Sequence, residues 1–168
     1  MLYNFPALHD SEHSAKGGSE YLMGQLFSAP RNVASYALLE TGQTAYVCVY
    51  ANRLWNDSGI DVISGQNYRF SVPEGERWAH WRRTCTADGC QSRWLIRPWE
   101  RFRRVPKAKW LQLIATIGRS AGPAIVIGSG LIDFFPPFPG RLYFFANALP
   151  WMRWHSSGMI AVRVTRTK

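Results

Sequence analysis

The stretch Ser156-Ser157-Gly158-Met159-Ile160-Ala161-Val162-Arg163-Val164-Thr165 decides the fold class. Ser156-Ser157-Gly158 is turn chemistry. After it, Ile160, Val162 and Val164 alternate with Ala161, Arg163 and Thr165. A period of two with β-branched residues on one side is a half-buried strand. Similar segments lie upstream. Tyr68, Phe70 and Val72 alternate with Arg69 and Ser71, and Pro73-Glu74-Gly75-Glu76 closes that strand. Ala45 to Ala51 is β-branched and aromatic, and Leu111 to Ile117 is apolar up to Gly118. Pro123 to Ile127 is a shorter apolar run before Gly128-Ser129-Gly130. In Arg141 to Asn147, Leu142 and Phe144 face opposite to Tyr143 and Phe145. Asn56-Asp57-Ser58-Gly59 reads as a turn cluster, and Pro136-Pro137-Phe138-Pro139-Gly140 as a rigid connection. No stretch of helical period as long as about 12 residues follows residue 45, and no strand–helix alternation suggests a parallel sheet. The expected fold is all-β, a jelly-roll-type antiparallel β-sandwich over residues 41–168.

Residues 1–40 differ. His9-Asp10-Ser11-Glu12-His13-Ser14 through Gly17-Gly18-Ser19 is polar and rich in helix breakers. It reads as an arm or linker, with a short helix over Glu20 to Phe27 and a turn at Pro30-Arg31-Asn32. Hydrophobic residues at 46% and aromatics at 14% exclude a disordered chain. No apolar run is long enough to span a membrane as a helix. The start, Met1-Leu2-Tyr3-Asn4-Phe5-Pro6, lacks the basic and apolar regions of a signal peptide. The corresponding expectation is a cytoplasmic protein, or one exported by a signal-independent secretion system.

The charge is concentrated. The chain carries +9, and residues 77–109 hold ten basic against two acidic residues, or +8 of it. The basic set is Arg77, Arg82, Arg83, Arg93, Arg97, Arg101, Arg103, Arg104, Lys107 and Lys109, opposed by Asp88 and Glu100. Trp78, Trp81, Trp94, Trp99 and Trp110 are interleaved with them. Such mixing suits stacking combined with pairing to phosphate or carboxylate. One reading is a patch for anionic lipid, acidic protein or nucleic acid, carried by Arg97, Arg101, Arg103, Arg104, Lys107 and Lys109. The other is a long solvated connection whose tryptophans anchor it to a core. Nucleic acid is the weakest partner, since no recognised motif supports it.

Motifs for catalysis are missing. There is no G-x-S-x-G, no phosphate-binding glycine loop, no H-E-x-x-H and no obvious carboxylate pair. The chain is read as non-catalytic, with no cofactor and no metal. Cys48 reads as a buried small hydrophobe inside an apolar run. For Cys85 and Cys90, a loop disulfide and a pair of free thiols both remain open. Binding chemistry is better represented. Trp151-Met152-Arg153-Trp154-His155 places two tryptophans, an arginine and a histidine in one loop. Aromatic faces stack on sugars or apolar tails, while Arg and His supply directional hydrogen bonds. The competing reading has Trp151 and Trp154 plugging the open end of the sandwich.

Residues 38–166 resemble the calcium-dependent galactophilic lectins of bacteria, which are small jelly-roll sandwiches. The resemblance rests on an ordered series. Val49-Tyr50-Ala51-Asn52 is followed by Asn56-Asp57-Ser58-Gly59-Ile60-Asp61-Val62, Gly65-Gln66-Asn67-Tyr68-Arg69-Phe70 and Trp78-Ala79. Then come Leu113 to Gly118, Ile127-Gly128, Gly140 to Asn147, and Pro150 through Ser156-Ser157-Gly158. The resemblance implies calcium ligands at Ala148, Met152, His155 and Ser156. Alanine and methionine offer no side-chain oxygen to a cation that wants six to eight. The expected site is therefore an aromatic and cationic cup of Trp81, Trp151, Arg153, Trp154 and His155 without metal. The insertion 82–109 is unlike these lectins in composition. A fainter resemblance links His9-Asp10-Ser11 to the tail of serine-hydrolase domains in bacterial phospholipase effectors. It implies a module accessory to a hydrolase chain. The expected function is a calcium-independent carbohydrate- or glycolipid-binding module. The alternative is a membrane-surface or protein-docking module acting through the Arg/Trp-rich segment. The family often pairs such sandwiches, which implies a homo-oligomer.

Overall fold

The computed structural model describes residues 38–91, 94–119 and 123–168, with backbone only at 94–97. The expected helix at 20–27 and the His9-Asp10-His13 cluster lie outside the described residues. The order is β1 (Thr44–Tyr50), β2 (Asn56–Val62), β3 (Tyr68–Ser71), β4 (Trp78–His80), β5 (Arg83–Cys85) and β6 (Asp88–Cys90). A 3₁₀ segment, Trp94–Phe102, leads to β7 (Trp110–Ile117), β8 (Ile125–Val126), β9 (Gly130–Phe134) and β10 (Gly140–Ala146). A second 3₁₀ segment, Pro150–His155, opens directly into β11 (Ser156–Arg166).

Two antiparallel sheets form the expected β-sandwich. One runs β5-β4-β11-β3-β9, with β1 also paired to β11; the other runs β2-β10-β7-β6, with β8 on β7. Alternation places Val47, Val49, Phe70, Leu113, Ala115, Leu142, Phe144, Ile160, Val162 and Val164 in one core between them. The opposite facing of Leu142/Phe144 and Phe145 holds. Phe145 leaves that core and packs with Ile114 and Ala108 in a second cluster, joined by Trp55 and Val105. This second cluster lies on the outer face of β7 and β10, and the connection into β7 covers it.

Several expectations change. Asn56-Asp57-Ser58-Gly59 is not a turn but the first half of β2. Its polar side chains substitute for ladder bonds where the β2–β10 register shifts between Arg141 and Tyr143. Asn56 Nδ2 donates to Tyr50 O and Phe144 O, its Oδ1 accepts from the Tyr50 amide, and Ser58 Oγ donates to Leu142 O. Cys48 is not in the core. Ala45, Val47 and Val49 take the inner face of β1, so Cys48 points outward between exposed Tyr46 and Tyr50. Burial and then the Glu76 charge push its thiol up. Leu38 bridges Asp61 and Leu39 is buried, so the residues expected to end the arm already belong to the sandwich.

Candidate functional site

The Arg-rich insertion begins as structure. β4 and β5 form a hairpin with Trp81-Arg82 as its loop, and a Cys85–Cys90 disulfide ties β5 to β6. β6 then lies against β7, with Cys90 opposite Trp110. The crossing is close: a Cβ on Gly89 would stand 2.5 Å from Trp110 O, and Gly89 has φ of +76°. Only glycine fits there.

The connection 103–109 is pinned from both sides. Asn147, fully buried, accepts from the Val105 amide through Oδ1 and donates through Nδ2 to Val105 O, Ala108 O and Lys109 O. Arg104 lies between rings, its Cζ 3.9 Å from the Trp55 centre and 3.4 Å from that of Phe145, and donates to Leu54 O. Burial lowers its guanidinium to about 10. Arg104 is thus directed inward as a clamp, not presented as a surface cation. Arg103, 8% exposed, stacks on Trp110 and donates to Glu100 O and Pro106 O. Arg101, Lys107 and Lys109 are exposed, and the side chain of Arg97 lies outside the described residues.

The tryptophans divide. Trp78 and Trp110 are buried; Trp99 is 51% exposed, Trp151 49%, Trp81 65% and Trp154 68%. Trp151 and Trp154 therefore do not plug the sandwich, and the Pro150–His155 segment buries no residue. What the fold assembles is a line of exposed rings. Trp99 lies 6.1 Å from Phe102, and Phe102 lies 6.3 Å from Trp151. Farther along, Arg153 covers Trp154 at 4.3 Å, and His155 lies 4.9 Å from Trp81. Four of the five expected cup residues, Trp151, Arg153, Trp154 and His155, share one 3₁₀ segment. Trp81 joins them from the β4–β5 hairpin, its amide donating to His155 O at 2.8 Å. Phe102 and Trp99 extend the surface, and no sequence pattern had marked Phe102.

Trp81 has φ of +56°. This left-handed conformation at a hairpin tip favours Gly or Asn, and a bulky residue there is strained. Below it, His80 Nδ1 and Ser156 Oγ share a hydrogen bond of 2.8 Å, and His80 stacks near Trp110 at 6.5 Å. Burial, then the charge of His155, hold the His80 imidazole below its ordinary value.

The positions that the lectin resemblance assigns to calcium do not suit that ion. Ala148 is buried in the core, Met152 offers only a thioether, and Ser156 Oγ is engaged by His80. Among the described residues, no three His, Cys, Asp or Glu side chains converge as metal ligands.

No family model and no curated protein matches the chain. Among solved structures it is similar to the EclA N-terminal domain, a PllA-like lectin, with a TM-score of 0.53 and 15% identity. The match covers 73% of this chain and 94% of that one. The sandwich is therefore of lectin-like fold.

Proposed function

We propose that the chain is a non-catalytic glycan- or glycolipid-binding module that works without calcium. Sugar rings stack on the exposed faces of Trp81, Trp151 and Trp154, and Arg153 and His155 direct hydrogen bonds to hydroxyls. The observation that carries this reading is Trp81. A bulky residue is held in a strained left-handed conformation, with its ring largely in solvent and set against His155. Strain that contributes nothing to the core is characteristic of binding sites. The lectin-like fold and the unsuitable calcium donor set support the same reading.

The test is a glycan-array assay on the full chain, with calcium and again with chelator. Binding in both conditions is expected, and Trp81→Asn with Trp154→Ala should abolish it while the fold persists. Binding that disappears with chelator would refute the calcium-free mode. An empty array in both conditions would refute the module itself.

A further inference from the structure

Beside the exposed rings lies a depression of about 320 Å³ lined by Cys90, Gln91, Glu100, Arg103, Lys107 and Lys109, among others. Three cations face one carboxylate there. The Arg103–Glu100 approach is long, at 3.9 Å. Among the described residues, no acidic group stands within ion-pair distance of Lys107, Lys109, Arg101 or Arg153; the other pairs join Arg141 to Asp57 and Asp61. Asp88, the second acid of this region, is occupied by the Ser129 amide. Arg103 is held in place through Nε and Nη2, and no hydrogen bond occupies its Nη1 among the described residues. A buried, pre-oriented guanidinium loses little freedom on meeting an anion. Burial penalises its charge, which a bound anion would offset. The depression also adjoins the aromatic surface. Glu100 of its lining lies on the 3₁₀ segment between exposed Trp99 and Phe102, while on the inner side Arg103 stacks on buried Trp110 at 5.4 Å.

We propose that the ligand of this face is an acidic saccharide, its sulfate or carboxylate held by Arg103, Lys107 and Lys109 and its rings on the adjoining aromatic side chains. This rests on the glycan-binding reading and narrows its substrate class. Uncompensated cations beside stacking faces select a ligand carrying both a negative group and an apolar ring face.

The experiment titrates the full chain calorimetrically with three tetrasaccharides of matched length, one sulfated, one containing uronate and one neutral. Vesicles of phosphatidylcholine with and without phosphatidylserine form a fourth arm. The sulfated or the uronate sugar is expected to bind at least about 10-fold tighter than the neutral one, the gain from one or two charge-assisted hydrogen bonds. Whichever binds identifies the anion. Lys107→Glu with Lys109→Glu, both exposed, should erase the preference and spare neutral-sugar binding. Arg69→Glu with Arg163→Glu, on the outer face of the other sheet, should leave it intact. Equal affinity for all three sugars, unmoved by the lysine reversals, overturns the acidic ligand while the glycan reading stands. Equal losses from both pairs of reversals mean diffuse charge attraction and overturn it too. Phosphatidylserine-dependent vesicle binding without sugar preference reassigns the face to a membrane. Binding of no saccharide overturns the glycan reading as well.

Discussion

Asn147→Ala removes the side chain that holds the Arg-rich connection on the sheet. Four hydrogen bonds are drawn from it, but Nδ2 has only two protons for three carbonyls. The loss is therefore worth about three bonds, at about 1 kcal/mol net each. Asn147 is fully buried, and its bond to Ala108 O is buried with it, so that carbonyl is left unpaired away from water. A destabilisation of about 3 kcal/mol follows, which for a chain of this size lowers Tm by roughly 6–12 °C. Urea titration gives the free energy, and exchange of the Val105 amide reports the local opening. Asn147→Asp is the sharper variant. It keeps the acceptor for Val105 but sets a carboxylate against the carbonyls of Val105, Ala108 and Lys109. It should destabilise at least as much as alanine at neutral pH. Part should return as the pH falls, because the protonated acid donates one bond. Both variants should weaken ligand binding, since Phe102 and Trp99 ride on the same connection. A loss below about 1 kcal/mol for alanine, or an aspartate variant indifferent to pH, would refute Asn147 as the pin.

The remaining predictions concern the site and its supports. Trp81→Asn relieves left-handed strain of about 1 kcal/mol and loses roughly 90 Å² of apolar burial, at most about 2 kcal/mol. Its Tm should therefore change by no more than about 4 °C, and a collapse would make Trp81 structural. Replacing Cys85 and Cys90 by serine opens a loop with a sequence separation of 5 and should cost about 2 kcal/mol in chemical denaturation. No change there would show that the β4–β6 region holds without the bond. His80 takes up its proton less readily folded than unfolded, so its stability contribution is full above about pH 6.5 and lost as the pH falls toward the folded value. A Tm series from pH 7.5 to 5 should show that fall, and His80→Gln should flatten it. Gly89→Ala should destabilise strongly, because its Cβ would strike the backbone of β7, and wild-type-like stability would contradict the close crossing.

The strands that alternate cleanly were legible in the chain itself. β1, β3 and β11 each bury one face, and a two-residue period states which; β10 follows the same period but buries Phe145 on its other face as well. That Trp151, Arg153, Trp154 and His155 would lie close together was legible because all four fall in one short stretch of sequence. The all-β class followed from strands and breakers alone, and it stands. Other features depended on partners far along the chain. β2 looked like a turn because its Asn and Ser act as backbone substitutes only opposite β10, with Asn56 bonded 88 residues away. β5 and β6 are too short to show a period, and they become strands because β4 and β7 are there to pair with them. Arg104 and Lys107 look alike in sequence, yet one is folded between Trp55 and Phe145 and the other is left in solvent. The exposure of Trp81, Trp151 and Trp154, against the burial of Trp78 and Trp110, was likewise settled by tertiary structure. Composition and periodicity determined which residue types were present and which strands would form. Which cation is left in solvent, and which ring remains exposed, depends on what the opposite strand or covering segment fills first, and that is a property of contacts rather than of local pattern.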